Sequence, residues 1–172
     1  MNTPPKLVYV AVCGPDPATP EVSTQAEEVG RLLAKAGAVL VCGGLGGTME
    51  STARGVHAEG GTSIGILPGS GRSAANPYLS FSIPTGMGEM RNALIIRSAD
   101  VVIAVAGEFG TLSEIALALK LGIPVFGLRT WRLQQPEGRR VPLLVVATPE
   151  DAVARALRAA RRRSRRARRW LA

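Results

Sequence analysis

At 172 residues, with 46% apolar and only 4% aromatic side chains, the chain has the size of one domain whose core must rest on Val, Leu, Ile and Ala. Its formal net charge of +8 is local: residues 155–172 hold nine arginines and no acid, leaving 12 basic against 13 acidic residues elsewhere, a net of −1. No segment has the apolar length of a membrane span, the start lacks a secretion-type h-region, and Cys13 and Cys42 form neither a metal-type pair nor a disulfide framework. The expectation is a soluble cytoplasmic protein with buried thiols and no membrane partner.

Along the chain, Lys6–Val12 is an apolar, β-branched run that reads as a buried strand. A loop follows, and Thr19 caps a helix that has Pro20 at its first position and runs to about Ala36. Gly37 stops it. Ala38–Cys42 is a second strand, leading at once into Gly43-Gly44-Leu45-Gly46-Gly47 and a helix from about Thr48 to Glu59. Thr62–Leu67 is a third strand. Pro68 to Leu79, rich in Pro, Gly, Ser and Asn, predicts a mobile surface loop. A short strand at Phe81–Ile83 precedes a helix over Met87–Ala99. Asp100–Val105 is a further strand, followed by a glycine-bearing turn and a helix from Thr111 to about Lys120. Pro124–Gly127 and Leu143–Ala147 are the last strands, separated by a polar loop over 129–141, and Pro149 opens a terminal helix.

Strands and helices alternate, and the strands are continuous apolar runs. That pattern predicts a single-domain α/β fold: a Rossmann-like, doubly wound parallel sheet with helices on both faces. Right-handed crossovers place every strand-to-helix loop on one edge, where such sheets bind ligands. Two of those loops are glycine-rich: residues 43–48, and Gly107-Glu108-Phe109-Gly110-Thr111. Glycine allows close backbone approach, and free amides at a helix start favour an anion. Candidate nucleotide- and phosphate-binding positions are therefore Gly14, Gly43, Gly44, Gly46, Gly47, Gly107, Gly110 and Thr111. The glycine loop does not follow the first strand as in the dinucleotide fingerprint, and no GxxxxGK[ST] loop is present.

Glu114, three residues after Thr111, either faces the same crevice or closes a capping box. Arg91 and Arg97 either serve that crevice or pair on the surface with Glu89 and Asp100. His57 is the only histidine and reads as exposed, which argues against a Ser-His-Asp relay or a histidine-rich metal site. The only lysines are Lys6, Lys35 and Lys120, none in a glycine loop, which disfavours a Schiff-base enzyme.

The stretches GGLGGTMESTARGVHAEGGTSIGILPG and GEMRNALIIRSADVVIAVAGEFGTLSEIALAL resemble the SLOG superfamily over roughly residues 6–147. Its best-known members are the Lonely Guy (LOG) phosphoribohydrolases. The nearer likeness is to a small bacterial branch often labelled "possible lysine decarboxylase", a label the scarcity of lysine opposes. In LOG enzymes the second block reads PGGxGTxxE after a helix with an ERK-type segment. Gly107, Gly110, Thr111 and Glu114 fall on the first motif, Arg91 on the arginine of the second, and Arg97 on a further helix arginine. The resemblance implies that the loop holds a 5′-phosphate, that Arg97 joins the nucleotide site, and that Arg91 and Glu114 act catalytically at an N-glycosidic bond. It also implies a homodimer or larger closed oligomer. Ala106, Glu108, Met90 and Asn92 depart from the motif.

The reading is thus a nucleotide-binding LOG-like domain over residues 1–152 that hydrolyses a nucleoside 5′-monophosphate to free base and ribose 5-phosphate. Its expected ligand is AMP-like, with no further cofactor and no metal required. One alternative is a non-catalytic carrier of a nucleotide or of the pterin molybdenum cofactor, as some superfamily relatives are. Another is a nucleic-acid accessory protein acting through the Arg-rich helix or tail at 153–172, where Trp170 is the one stacking ring.

Overall fold

The computed structural model describes residues 7–169, so Lys6 and Trp170 lie outside the described residues. Seven strands form one sheet: β1 (Tyr9–Cys13), β2 (Val39–Cys42), β3 (Thr62–Leu67), β4 (Phe81–Pro84), β5 (Val101–Val105), β6 (Val125–Leu128) and β7 (Leu143–Val146). All neighbours pair in parallel, in the order β4-β3-β2-β1-β5-β6-β7. The chain therefore winds one way from β1 to β4, returns to the centre, and winds the other way from β5. The point of reversal lies between β1 and β5, where Val10 pairs with Val101 on one side and Leu40 on the other. The carboxyl ends of these two strands diverge into loops that leave a crevice.

Helices cover both faces. Residues Val101, Ile103 and Val105 of β5 point into one core with α1 (Pro20–Lys35), α2 (Gly47–Ala58) and α5 (Pro149–Arg169). Val102 and Ala104 point into the other, with α3 (Asn92–Arg97) and α4 (Phe109–Lys120). Each fully buried Val, Leu or Ile contributes about 1.5–3 kcal/mol of transfer free energy, which is why the central strands β1, β2, β5 and β6 carry no charged, amide or hydroxyl-aliphatic side chain, whereas β3 and β4 towards the edge admit Thr62, Ser63 and Ser82. The edges are less covered: Phe81 and Ile83 on β4, and Leu144 and Val145 on β7, stay exposed. The α1 N-terminus forms as its sequence predicts, with the Thr19 hydroxyl accepting from the Val22 amide at 3.3 Å. Helices α1 and α2 meet backbone to backbone. A Cβ at Gly30 would stand 2.1 Å from the Thr52 carbonyl, and one at Gly55 would stand 2.0 Å from that of Glu27.

Two local expectations are corrected. Met87–Ala99 is not one helix: a 3-10 turn over Gly88–Arg91 precedes the six-residue α3. Gly86 and Gly88 both take positive φ, which interrupts the helical path before Arg91. The Pro68–Leu79 segment is a surface loop, but a tied one. Asn76 donates from its backbone to the Gly44 carbonyl at 3.0 Å and from Nδ2 to the Leu45 carbonyl at 3.0 Å, while its Oδ1 accepts from the Tyr78 amide. A buried asparagine thus fastens the loop onto the first glycine turn.

Candidate functional site

The crevice at the β1/β5 reversal has two parts that share Gly14, Met49, Arg91, Asn92, Gly110 and Thr111. The outer part has a volume of about 780 Å³ and reaches Asp16, Pro68, Glu89, Met90, Glu108 and Phe109. It opens into an inner recess of about 110 Å³ that touches Cys13, Gly43, Arg91 and Glu114. The outer volume lies within the range that holds a drug-sized or cofactor-sized ligand.

Arg91 dominates the floor. It ends the 3-10 turn, is 8% exposed, and lays its guanidinium across the bare face of Gly43. A Cβ there would stand 2.2 Å from Nη1 and 2.7 Å from Nη2, so the seat exists only because residue 43 lacks a side chain. The buried Nε has no hydrogen-bond partner, and among the described residues Arg91 forms no ion pair. The surface pairing with Glu89 is not formed. Burial pulls the Arg91 guanidinium below its ordinary range, and Glu114 only partly offsets this. A buried cation that makes no direct ion pair, with only the partly protonated Glu114 in its neighbourhood, is costly unless an anion completes it.

Glu114 is the other buried charge, at 8% exposure. Because α4 begins at Phe109, it lies in the second turn, not the first, and Thr111 is not the capping residue, so no capping box forms. Burial pushes its carboxyl up to about 7, against the pull of Arg91 and the polarity of the neighbouring Cys13 thiol. That thiol is itself raised well above its usual range, by burial first and then by Glu114. Near neutrality Glu114 therefore exchanges a proton readily, as a general acid or base requires.

The start of α4 supplies the second anion-favouring element. Its cap, Glu108, makes no side-chain capping bond, and the first-turn residues Gly110 and Thr111 line both parts of the crevice. Amides in a first helical turn have no intrahelical partner. The structure thus brings together Gly14, Gly43, Arg91, Gly110, Thr111 and Glu114. It does not bring in the rest. Gly44 packs against Leu67 and Gly65, and Gly46 and Gly47 pack against the 15–16 turn, whose Pro15 carbonyl already accepts from the Thr48 amide and hydroxyl. Gly107 lies beside Trp131 and Thr111. Arg97 is exposed at the end of α3, more than a turn past Arg91, and pairs with no carboxylate among the described residues. Sequence reasoning missed Asn92 and Met49, which line both parts, and the rim carboxylates Asp16 and Glu89. Asn92 carried a signal, being next to Arg91 in the motif segment. Met49 carried none.

Comparison with known proteins places this geometry in context. The sequence profile of the SLOG cluster4 family matches residues 7–153. A protein of Archaeoglobus fulgidus described as uncharacterized is 41% identical over 148 residues, covering 86% of this chain and 93% of that protein. Among solved structures, the molybdenum cofactor binding protein of the phototrophic bacterium Rippkaea orientalis is similar, with a TM-score of 0.79, 33% identity, and coverage of 87% of this chain and 94% of that one. The molybdenum cofactor carrier protein of Chlamydomonas reinhardtii gives a TM-score of 0.77 at 29% identity, covering 90% and 98% respectively.

Proposed function

The chain belongs to the SLOG cluster4 family, and on that footing we propose that its crevice binds a phosphate-bearing heterocycle, held as cargo rather than consumed. The observation that carries this reading is Arg91: a buried, unpaired guanidinium, seated on Gly43 and facing the open first turn of α4. A phosphate there accepts from the guanidinium and from helix amides, which is the strong, charge-assisted kind of hydrogen bond. The rest of the crevice suits a ring. Exposed Met90 and Phe109 offer apolar faces, and Asp16, Glu89 and Glu108 offer acceptors for ring N–H groups. A nucleoside monophosphate and the phosphorylated pterin of the molybdenum cofactor both have this anatomy. The likeness to two molybdenum cofactor binding proteins favours the pterin.

A second reading, hydrolysis of the N-glycosidic bond of a nucleoside 5′-monophosphate, is favoured by Glu114. A carboxyl raised to about 7 in the recess next to the anion seat is matched to proton transfer at neutral pH. In that case the ionised Glu114 offsets the cation that develops on the ribose as the C1′–N bond breaks, then takes a proton from the water whose oxygen bonds C1′ and passes it to the departing base.

The exposed apolar residues Met90 and Phe109 at the crevice mouth also support a homodimer that covers them, to be read from the mass in solution.

The deciding experiment titrates the protein with AMP, with adenosine, and with molybdenum cofactor released from a molybdoenzyme, and separately follows free adenine. The carrier reading expects pterin to bind more tightly than AMP, adenosine to bind at least tenfold more weakly than AMP, and no adenine to appear. Adenine release that is lost in Glu114→Ala supports hydrolysis instead. Equal binding of AMP and adenosine overturns the phosphate seat in both readings.

A further inference from the structure

The C-terminal helix carries a feature that the crevice does not use. Helix α5 is anchored by Ala152, Val153, Ala156 and Ala160, and Ala160 is the last buried residue among its described side chains. The helix nevertheless continues to Arg169. Arg161, Arg162 and Arg163 are exposed. At ~100° per residue, positions 155, 158, 162, 165, 166 and 169 fall on one side of the helix, and all six are arginine. The opposite side continues the line of Ala156 and Ala160. The arginines thus recur about once per turn, near ~5.4 Å along the axis.

The location is fixed by one contact. Arg163 donates from Nη1 to the carbonyl of Asp100 at 3.5 Å, and Asp100 immediately precedes β5. All strands are parallel, so this is the amino edge of the sheet, opposite the edge that holds Arg91 and Glu114.

We infer that this arginine-rich end of α5 is a second, independent binding surface for the phosphate backbone of nucleic acid, engaged without regard to sequence and without competition from the crevice ligand. Guanidinium pairs with phosphate in two-point fashion, and repeated turn-spaced arginines match a polymer of phosphates better than a single anion. A membrane surface fits less well, because residues 161–169 contribute only Ala167 to an apolar face. The folded body has a net charge of −1, so it supplies no attraction of its own and the helix must carry the binding.

The test is fluorescence anisotropy with a labelled random-sequence DNA duplex of about 20 base pairs and the full-length chain. Neutralising four phosphates gives a slope of roughly −3.6 in log Kobs against log salt, or about 150-fold weaker binding between 50 and 200 mM salt. Replacing Arg161, Arg162, Arg165, Arg166, Arg168 and Arg169 with Gln is expected to abolish binding. The same six as Lys should retain it, which separates loss of charge from loss of the helix. Saturating AMP should leave the duplex affinity unchanged. Three results overturn the inference: duplex binding unaffected by the Gln set, competition by AMP, or stronger binding to phosphatidylserine vesicles than to the duplex.

Discussion

Replacing Gly43 by alanine separates the ligand seat from the fold. The new Cβ would stand 2.2 Å from Arg91 Nη1, 2.7 Å from Nη2 and 2.5 Å from the Met49 sulfur. All three are ends of side chains, and the backbone at residue 43 does not need positive φ. The neighbours therefore yield by moving, and the guanidinium leaves its position over β2. Overpacking of this kind costs about 1–3 kcal/mol, and the lower end applies where flexible ends give way. In a chain of this size about 1 kcal/mol is a fall of roughly 2–4 °C in Tm. Binding suffers more. Hydrogen bonds to a charged group are worth about 1.5–3 kcal/mol, so AMP or pterin phosphate should bind roughly 10- to 150-fold more weakly. The adjacent Gly44→Ala is the contrast. It forces an alanine to φ +74° with its Cβ 3.1 Å from the Gly65 Cα, a backbone atom, and 2.8 Å from Leu67 Cδ2, so stability should fall before affinity does. Calorimetric titration and thermal denaturation of both variants give the comparison. Binding by Gly43→Ala within twofold of the unmodified protein would refute the reasoning.

Further outcomes follow from the same contacts. Glu114 has a folded pKa of about 7, above the ordinary carboxylate value of 4.5, so its contribution is full below pH 4.5 and is lost as pH rises through 7. That loss is about 3 kcal/mol, and Tm should decline between pH 5 and 8 in the unmodified protein but stay flatter in Glu114→Gln; equal slopes exclude Glu114 as the cause. Asn76→Ala leaves the Leu45 carbonyl and the Tyr78 amide without their partners and should cost about 1–3 kcal/mol in denaturant unfolding. Gly55→Ala puts a Cβ 2.0 Å from the Glu27 carbonyl, a backbone atom, so α1 and α2 must separate, and Tm should fall by roughly 6–12 °C for about 3 kcal/mol.

Much of the fold is legible because a parallel sheet covered by helices needs unbroken apolar strands. Val101–Val105 can be nothing else in a chain of this composition. Glycine was harder to read. Gly86 and Gly88 break the helix that the sequence pattern predicts from Met87 onward, because apolar spacing alone does not report where φ turns positive. In the 43–47 run, glycine signals close approach without saying of what: Gly43 admits an arginine, Gly44 admits β3, and Gly46 and Gly47 admit the 15–16 turn. The motif segments point to Arg91, Thr111 and Glu114, and all three line the inner recess. They could not exclude Arg97, since its exposure depends on how briefly α3 runs. Asn76 fastens a loop that composition alone marks as mobile, because one buried asparagine with three partners, two on its side-chain amide and one on its backbone N–H, outweighs a polar sequence.

The account depends on Arg91 as the seat of the ligand's phosphate, and calorimetric titration of AMP into the unmodified protein and into Arg91→Met tests it most directly. The account predicts one saturable site per chain, weakened at least tenfold in the variant with Tm unchanged or raised, since an unpaired buried charge is removed. Equal affinity in the two proteins would contradict it.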